Sequence, residues 1–109
     1  MLLAVAVAAA SPGKTHPNAA EQKAMRKAVP AGQHLCYPQN AWISGTNPHY
    51  AVIVTQATCG GSTYVHQWLR RAALSVSAGW TVVSVRSGTI DHPAGCTRSP
   101  VIPADIKCL

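Results

Sequence analysis

The sequence predicts an α+β domain: one N-terminal helix packed on a small antiparallel β-meander of three to four strands, stapled by two disulfides. Three observations carry that expectation. A helix-periodic run, Ala19 to Val29, is stopped by Pro30 and Gly32. Later runs rich in β-branched and aromatic residues are separated by turn residues. Four cysteines, Cys36, Cys59, Cys96 and Cys108, are widely spaced in 109 residues. A chain of this length suits one domain whose core is small, and cross-links compensate for that. No pair has the C-x-x-C spacing of a zinc knuckle or redox motif, so structural disulfides are expected rather than buried free thiols.

Leu2 to Ala10 is an uninterrupted apolar run closed by Ala8-Ala9-Ala10 before Ser11-Pro12. It reads as the apolar region and cleavage site of a secretory signal, truncated because no Lys or Arg precedes it, with the cut after Ala10. It is too short to span a bilayer. Residues 11–18 (SPGKTHPN) read as a linker, and residues 19–109 as one small secreted domain.

Each element has its own signal. Asn18 is placed to cap the helix, with Glu21 in the first turn and Arg26 and Lys27 near the end, as the helix dipole favours. Ala20, Ala24, Met25, Ala28 and Val29 form its apolar side. Ala41 to Gly45 is a short first strand with Trp42 or Ile43 turned inward, and Thr46-Asn47-Pro48-His49 is a turn. Tyr50 to Ala57 is the clearest strand. Cys59-Gly60-Gly61-Ser62 then sends Thr63 to Arg71 back antiparallel, although Val65, Leu69 and Ala72 also fit helical spacing. Gly79 introduces the strand Trp80–Ser87. Alternation along the last two strands assigns Val65, Leu69, Val83 and Val85 to the face under the helix. From Asp91 onward Pro93, Gly95, Pro100 and Pro103 predict an irregular tail ending in a helical turn at Ala104–Ile106. Four cysteines allow three pairings. Cys36–Cys59 with Cys96–Cys108 is preferred because it separates the sheet cysteines from those of the tail.

Nine Lys and Arg against three acids give a net charge of +6. That balance favours contact with anionic partners, whether envelope phosphates, acidic lipid headgroups or nucleic acid, but the positives are scattered rather than clustered, so the signal is weak; an envelope polymer is preferred over nucleic acid. Scarce acids argue against catalysis by paired carboxylates. No His-x-x-x-His, G-x-S-x-G, S-x-x-K or P-loop frame is present, so no metal, cofactor or catalytic residue is assigned. Tyr64, His66, Trp68 and Arg70 share one strand face by alternation. With Trp80 and Arg86 they make a candidate binding strip for a polysaccharide or another secreted protein, the alternative being that the tail or another protomer covers the strip in ordinary packing. The leading function is therefore a secreted, non-catalytic binding module. The alternatives are a ribonuclease-like hydrolase using His66, His92 and Arg70, and an inhibitor or toxin partner.

The run Gly79-Trp80-x-Val82-Val83, Gly88-Thr89, Gly95-Cys96 and Pro103-Ala104-Asp105-Ile106, preceded by Cys36-Tyr37-Pro38 and Asn47-Pro48-His49-Tyr50-Ala51, resembles a group of small secreted proteins of high-GC Gram-positive (actinobacterial) bacteria. The resemblance covers Cys36 to the end and implies secretion and fold. The group carries no assigned activity, so it contributes no site residue.

Overall fold

The computed structural model of the chain describes residues 13–109, so the signal read in residues 1–10 lies outside the described residues. Helix α1 (Ala19–Ala28) precedes strands β1 (Ala41–Ile43), β2 (Tyr50–Thr55), β3 (Thr63–Arg70) and β4 (Thr81–Thr89). A short 3-10 turn (Val76–Ala78) lies between β3 and β4, and a one-turn helix, α2 (Ala104–Lys107), follows them. The strands form one antiparallel sheet in the order β1-β2-β3-β4. The fold is α+β, as the periodicities predict, and Thr63–Arg70 is a strand rather than a helix.

The Asn18 side chain accepts a hydrogen bond from the Glu21 N–H, relieving one of the unpaired donors of the first helical turn. Met25 is the fully buried residue of α1. It packs with Ala41, Ile43, Ala51, Ile53, Leu69 and Trp80 in the core on the helix side of the sheet. Arg71 closes this side. It is 4% exposed, stacks 4.3 Å from the Trp80 ring centroid, and bonds Glu21 at 3.2 Å and the Pro48 carbonyl at 3.2 Å. A guanidinium shielded to this degree needs such partners, because leaving it unpaired would cost several kcal/mol.

The opposite face is covered by the tail. Val52, Trp68, Ile102 and Ile106 form a second buried cluster, flanked by Trp42, Tyr50 and Leu109. Three polar ties hold the tail there. The Trp68 indole N–H donates to the Ile106 carbonyl at 2.7 Å. Asp105 accepts from the Ser44 hydroxyl at 2.7 Å, the Gly45 N–H at 2.8 Å and the Thr46 hydroxyl at 3.3 Å. The Ser84 and Thr97 hydroxyls share a bond of 2.6 Å.

Both disulfides take the preferred pairing, Cys36–Cys59 and Cys96–Cys108. The first ties the α1–β1 connection to the β2–β3 turn, beside a backbone bridge between His34 and Gln56. The second closes the tail on itself, where Thr97 N–H also donates to the Lys107 carbonyl.

The structure corrects three expectations. Within the span read as a linker, Thr15 is tied down: it exchanges two backbone hydrogen bonds with Ile43 as a bridge beside β1. The His16 ring donates to the Ala41 carbonyl and lies 5.5 Å from Trp42. Secondly, Val83 and Val85 do not lie under the helix; they are 42% and 53% exposed, while Val65 is half-buried and Leu69 fully buried. Thirdly, Trp80 belongs to the helix-side core and not to the opposite strip. One irregularity explains much of this. Trp68 pairs with Ser84 but the next residue, Leu69, pairs with Val82, so Val83 is an extra residue in β4. A one-residue bulge reverses the facing of everything before it. Val82 and Trp80 therefore turn toward the helix, and Ser84 and Arg86 toward the tail. Val85 keeps the helix-side facing, opposite Gln67, but lies beyond the reach of a ten-residue helix seated over β1 and β2.

Candidate functional site

Three residues of the predicted strip, Trp68, His66 and Tyr64, do share the tail face of β3, but the tail divides them. Trp68 is fully buried beneath Ile102 and Ile106 and offers no binding surface. Arg70 is exposed at the far end of β3, opposite Thr81. Arg86 is half-buried and its Nε donates to the Ala94 carbonyl at 2.8 Å, so its charge is engaged in holding the loop after β4. Tyr64 and His66 remain, and they line an open cleft of about 290 Å³.

The cleft is built from all four strands and the tail. The register places Val54 opposite His66 and Tyr64 opposite Gly88, which together form the floor. Trp42 from β1 and Leu109 from the tail make one side. Pro93 and Ala94 make the other, and they reach the floor because residue 88 is glycine. A Cβ there would stand 2.8 Å from the His92 carbonyl oxygen and closer still to the Ala94 nitrogen. Thr89 and Asn40 supply uncharged polar groups at the margin. Among the described residues no Lys, Arg, Asp or Glu side chain lines the cleft.

His66 stacks on Trp68 with ring centroids 5.9 Å apart and planes inclined by 26°. Its Nδ1 is buried and has no hydrogen-bond partner among the described residues. Burial also pushes its pKa below the ordinary histidine value, since the charged imidazolium would lose hydration without gaining a partner. The ring is therefore neutral at pH 7, one nitrogen a donor and the other an acceptor. An unpaired buried ring nitrogen carries a cost of about 1–3 kcal/mol, which marks a position worth explaining by function.

The grouping needed for phosphate chemistry is not assembled around this ring. Neither His92 nor Arg70 lines the cleft, and His92 is exposed on the loop after β4. Among the described residues no three His, Cys, Asp or Glu side chains converge as a metal site. Trp42, Asn40, Thr89 and Leu109 were not singled out as site residues from the sequence. Trp42 had a usable signal: the alternation Ala41-Trp42-Ile43 turns it away from its two neighbours, and pairing with Val52 sets it on the Trp68 face.

Fold and site together define a small disulfide-bonded α+β domain with an aromatic, uncharged cleft on the tail side of its sheet. No family model, curated protein or solved structure matches the chain. Among the described residues no helix is long and apolar enough to cross a membrane.

Proposed function

We propose that this protein is a secreted, disulfide-stabilised, non-catalytic binding module, and that its ligand seat is the cleft formed by Trp42, Tyr64 and His66. Both disulfides support export, because such bonds persist in oxidising compartments. The observation that carries the binding role is the lining itself: the rings of Trp42, Tyr64 and His66 beside the uncharged hydrogen-bonding groups of Asn40 and Thr89. An anion would be met by Lys or Arg, and among the described residues neither lines the cleft, despite the net charge of +6. The ligand class that fits is an uncharged sugar unit of a polysaccharide. A pyranose has an apolar C–H face to lie on Trp42 or Tyr64 and a rim of hydroxyls for Asn40, Thr89 and His66.

Titration of the intact protein with neutral oligosaccharides, followed by tryptophan fluorescence and calorimetry, tests the reading. Saturable binding is expected, weakened about tenfold or more by Tyr64→Ala, in line with the loss of about 1–3 kcal/mol for an aromatic stacking platform. Affinity falls as the pH drops below the ordinary histidine range and His66 takes up a proton. Binding untouched by both Tyr64→Ala and Trp42→Ala would place the ligand elsewhere. Cleavage of RNA by the pure protein, abolished by His66→Ala, would replace the binding role with the hydrolase alternative.

A further inference from the structure

A second surface lies on the other side of the molecule, where α1 meets the β3–β4 connection. A cleft of about 480 Å³ runs between them, with Ala20, Ala24 and Ala28 on one wall, Val76 on the other and Trp80 at its base. Lys23 and Lys27 stand along its margin. They are one helical turn apart, with Arg26 exposed beside them. Like charges at this spacing repel, and no acid relieves them. Among the described residues the one ion pair is that of Glu21 with Arg71. Asp105 is engaged at the β1–β2 turn, and Asp91 lies in the loop after β4.

The facing connection has the opposite character. Residues 72–79 (AALSVSAG) carry no charge, and all are exposed. Leu74 is 59% exposed and Val76 42% exposed, although each would be favoured in a core. The 3-10 turn at Val76–Ala78 packs against α1, which holds this connection beside the lysines. An uncharged loop presenting aliphatic side chains next to unpaired cations matches the layering of a bilayer surface, where phosphates lie just outside the acyl chains.

We infer that this face docks on an anionic lipid membrane. Leu74 and Val76 enter the acyl boundary, Lys23 and Lys27 contact headgroup phosphates, and the alanine-walled cleft between them accommodates a lipid chain or glycerol backbone. The inference is independent of the sugar-binding reading, because it uses none of the residues around His66. It gives the basic balance of the chain a located role.

Sedimentation with sucrose-loaded vesicles tests it on the intact, oxidised protein. Vesicles of phosphatidylcholine mixed with phosphatidylglycerol should bind the protein, and phosphatidylcholine alone should not. Lys23→Gln with Lys27→Gln should weaken binding by roughly 25-fold, from about fivefold for each lysine at such a surface. Leu74→Ser with Val76→Ser should weaken it independently, with circular dichroism unchanged because both residues are exposed. Tyr64→Ala should leave it unaltered. Three results would overturn the inference: no effect of the lysine pair, no effect of the Leu74 and Val76 pair, or equal competition by inorganic phosphate or polyglutamate, which would mean charge recognition without a membrane.

Discussion

Trp68 and Leu69 are neighbours on β3, both fully buried, and they point to opposite sides of the sheet. Beneath Leu69 the cover is a regular helix whose Met25 and flanking alanines pack on β1 and β2. Over Trp68 the cover is a nearly irregular tail, held by Ile102, Ile106, one disulfide and side-chain hydrogen bonds. The helix satisfies its own backbone and so needs from the sheet only apolar contact, plus the Glu21–Arg71 tie. The tail has only short backbone pairings of its own, Thr97 with Lys107, Ile102 with Ser99 and Ile106 with Pro103. It is fixed to the sheet by side-chain hydrogen bonds and closed on itself by a cross-link. The difference shows how a small domain buries both faces of a sheet with a single helix: the second face is sealed by covalent and polar ties in place of regular structure. The aromatic cleft lies at the edge of that seal, with Leu109 on one side of Tyr64 and His66 and Pro93 and Ala94 on the other.

Truncating the two neighbours gives the largest effects and separates the faces. Trp68→Ala should cost about 3–5 kcal/mol and Leu69→Ala about 2–5 kcal/mol, measured by chemical denaturation. Hydrogen exchange should distinguish them, with faster exchange confined to the tail in the first and concentrated in α1 in the second. Uniform acceleration in both variants would mean that the two covers unfold as one unit.

Removing the tail cross-link comes next. The Cys96Ser/Cys108Ser variant should lose roughly 3 kcal/mol, the amount expected for a loop of this length. Far-ultraviolet circular dichroism should keep the helical signal while residues 97–109 become sensitive to protease. Loss of the α1 signal as well would make the tail a condition for the helix face.

The smallest effect is the acid response of the polar tie. Burial tends to raise the pKa of Asp105, but the bonds from Ser44, Gly45 and Thr46 prevail and hold it below the usual carboxylate range. A carboxylate with its folded pKa depressed stabilises the fold above its unfolded pKa of about 3.9, and that contribution disappears as pH falls through the folded value. His66, also depressed, loses its contribution earlier, as pH falls below about 6.5. Nuclear magnetic resonance should therefore show the Trp68 indole proton perturbed in two steps on acidification. Asp105→Asn should remove the lower step and cost about 1–2 kcal/mol at neutral pH.

Much of this architecture was legible in local signals. The Asn18 cap and the Pro30 stop bound α1, β-branched runs mark β2 and β4, and the pairing that separates sheet from tail cysteines is the one observed. Those features depend on residues close together in the chain or on their number and spacing. The candidate site was legible only in part. Tyr64 and His66 were found through strand alternation. Trp68 lies on the strand face that alternation assigns, but the tail folds back over it, and Trp80 was put on the wrong face because the bulge at Val83 turns it inward.

The chain's order of residues determined by itself where helix and strands begin, that the sheet is an antiparallel meander and that cross-links hold it. Each of these follows from short-range sterics, capping or periodicity. Which aromatics stay accessible was decided only in three dimensions. A single extra residue in β4 exchanges the two faces of the strand before it, and a tail without periodicity finds its place through buried indole and carboxylate partners far away in sequence.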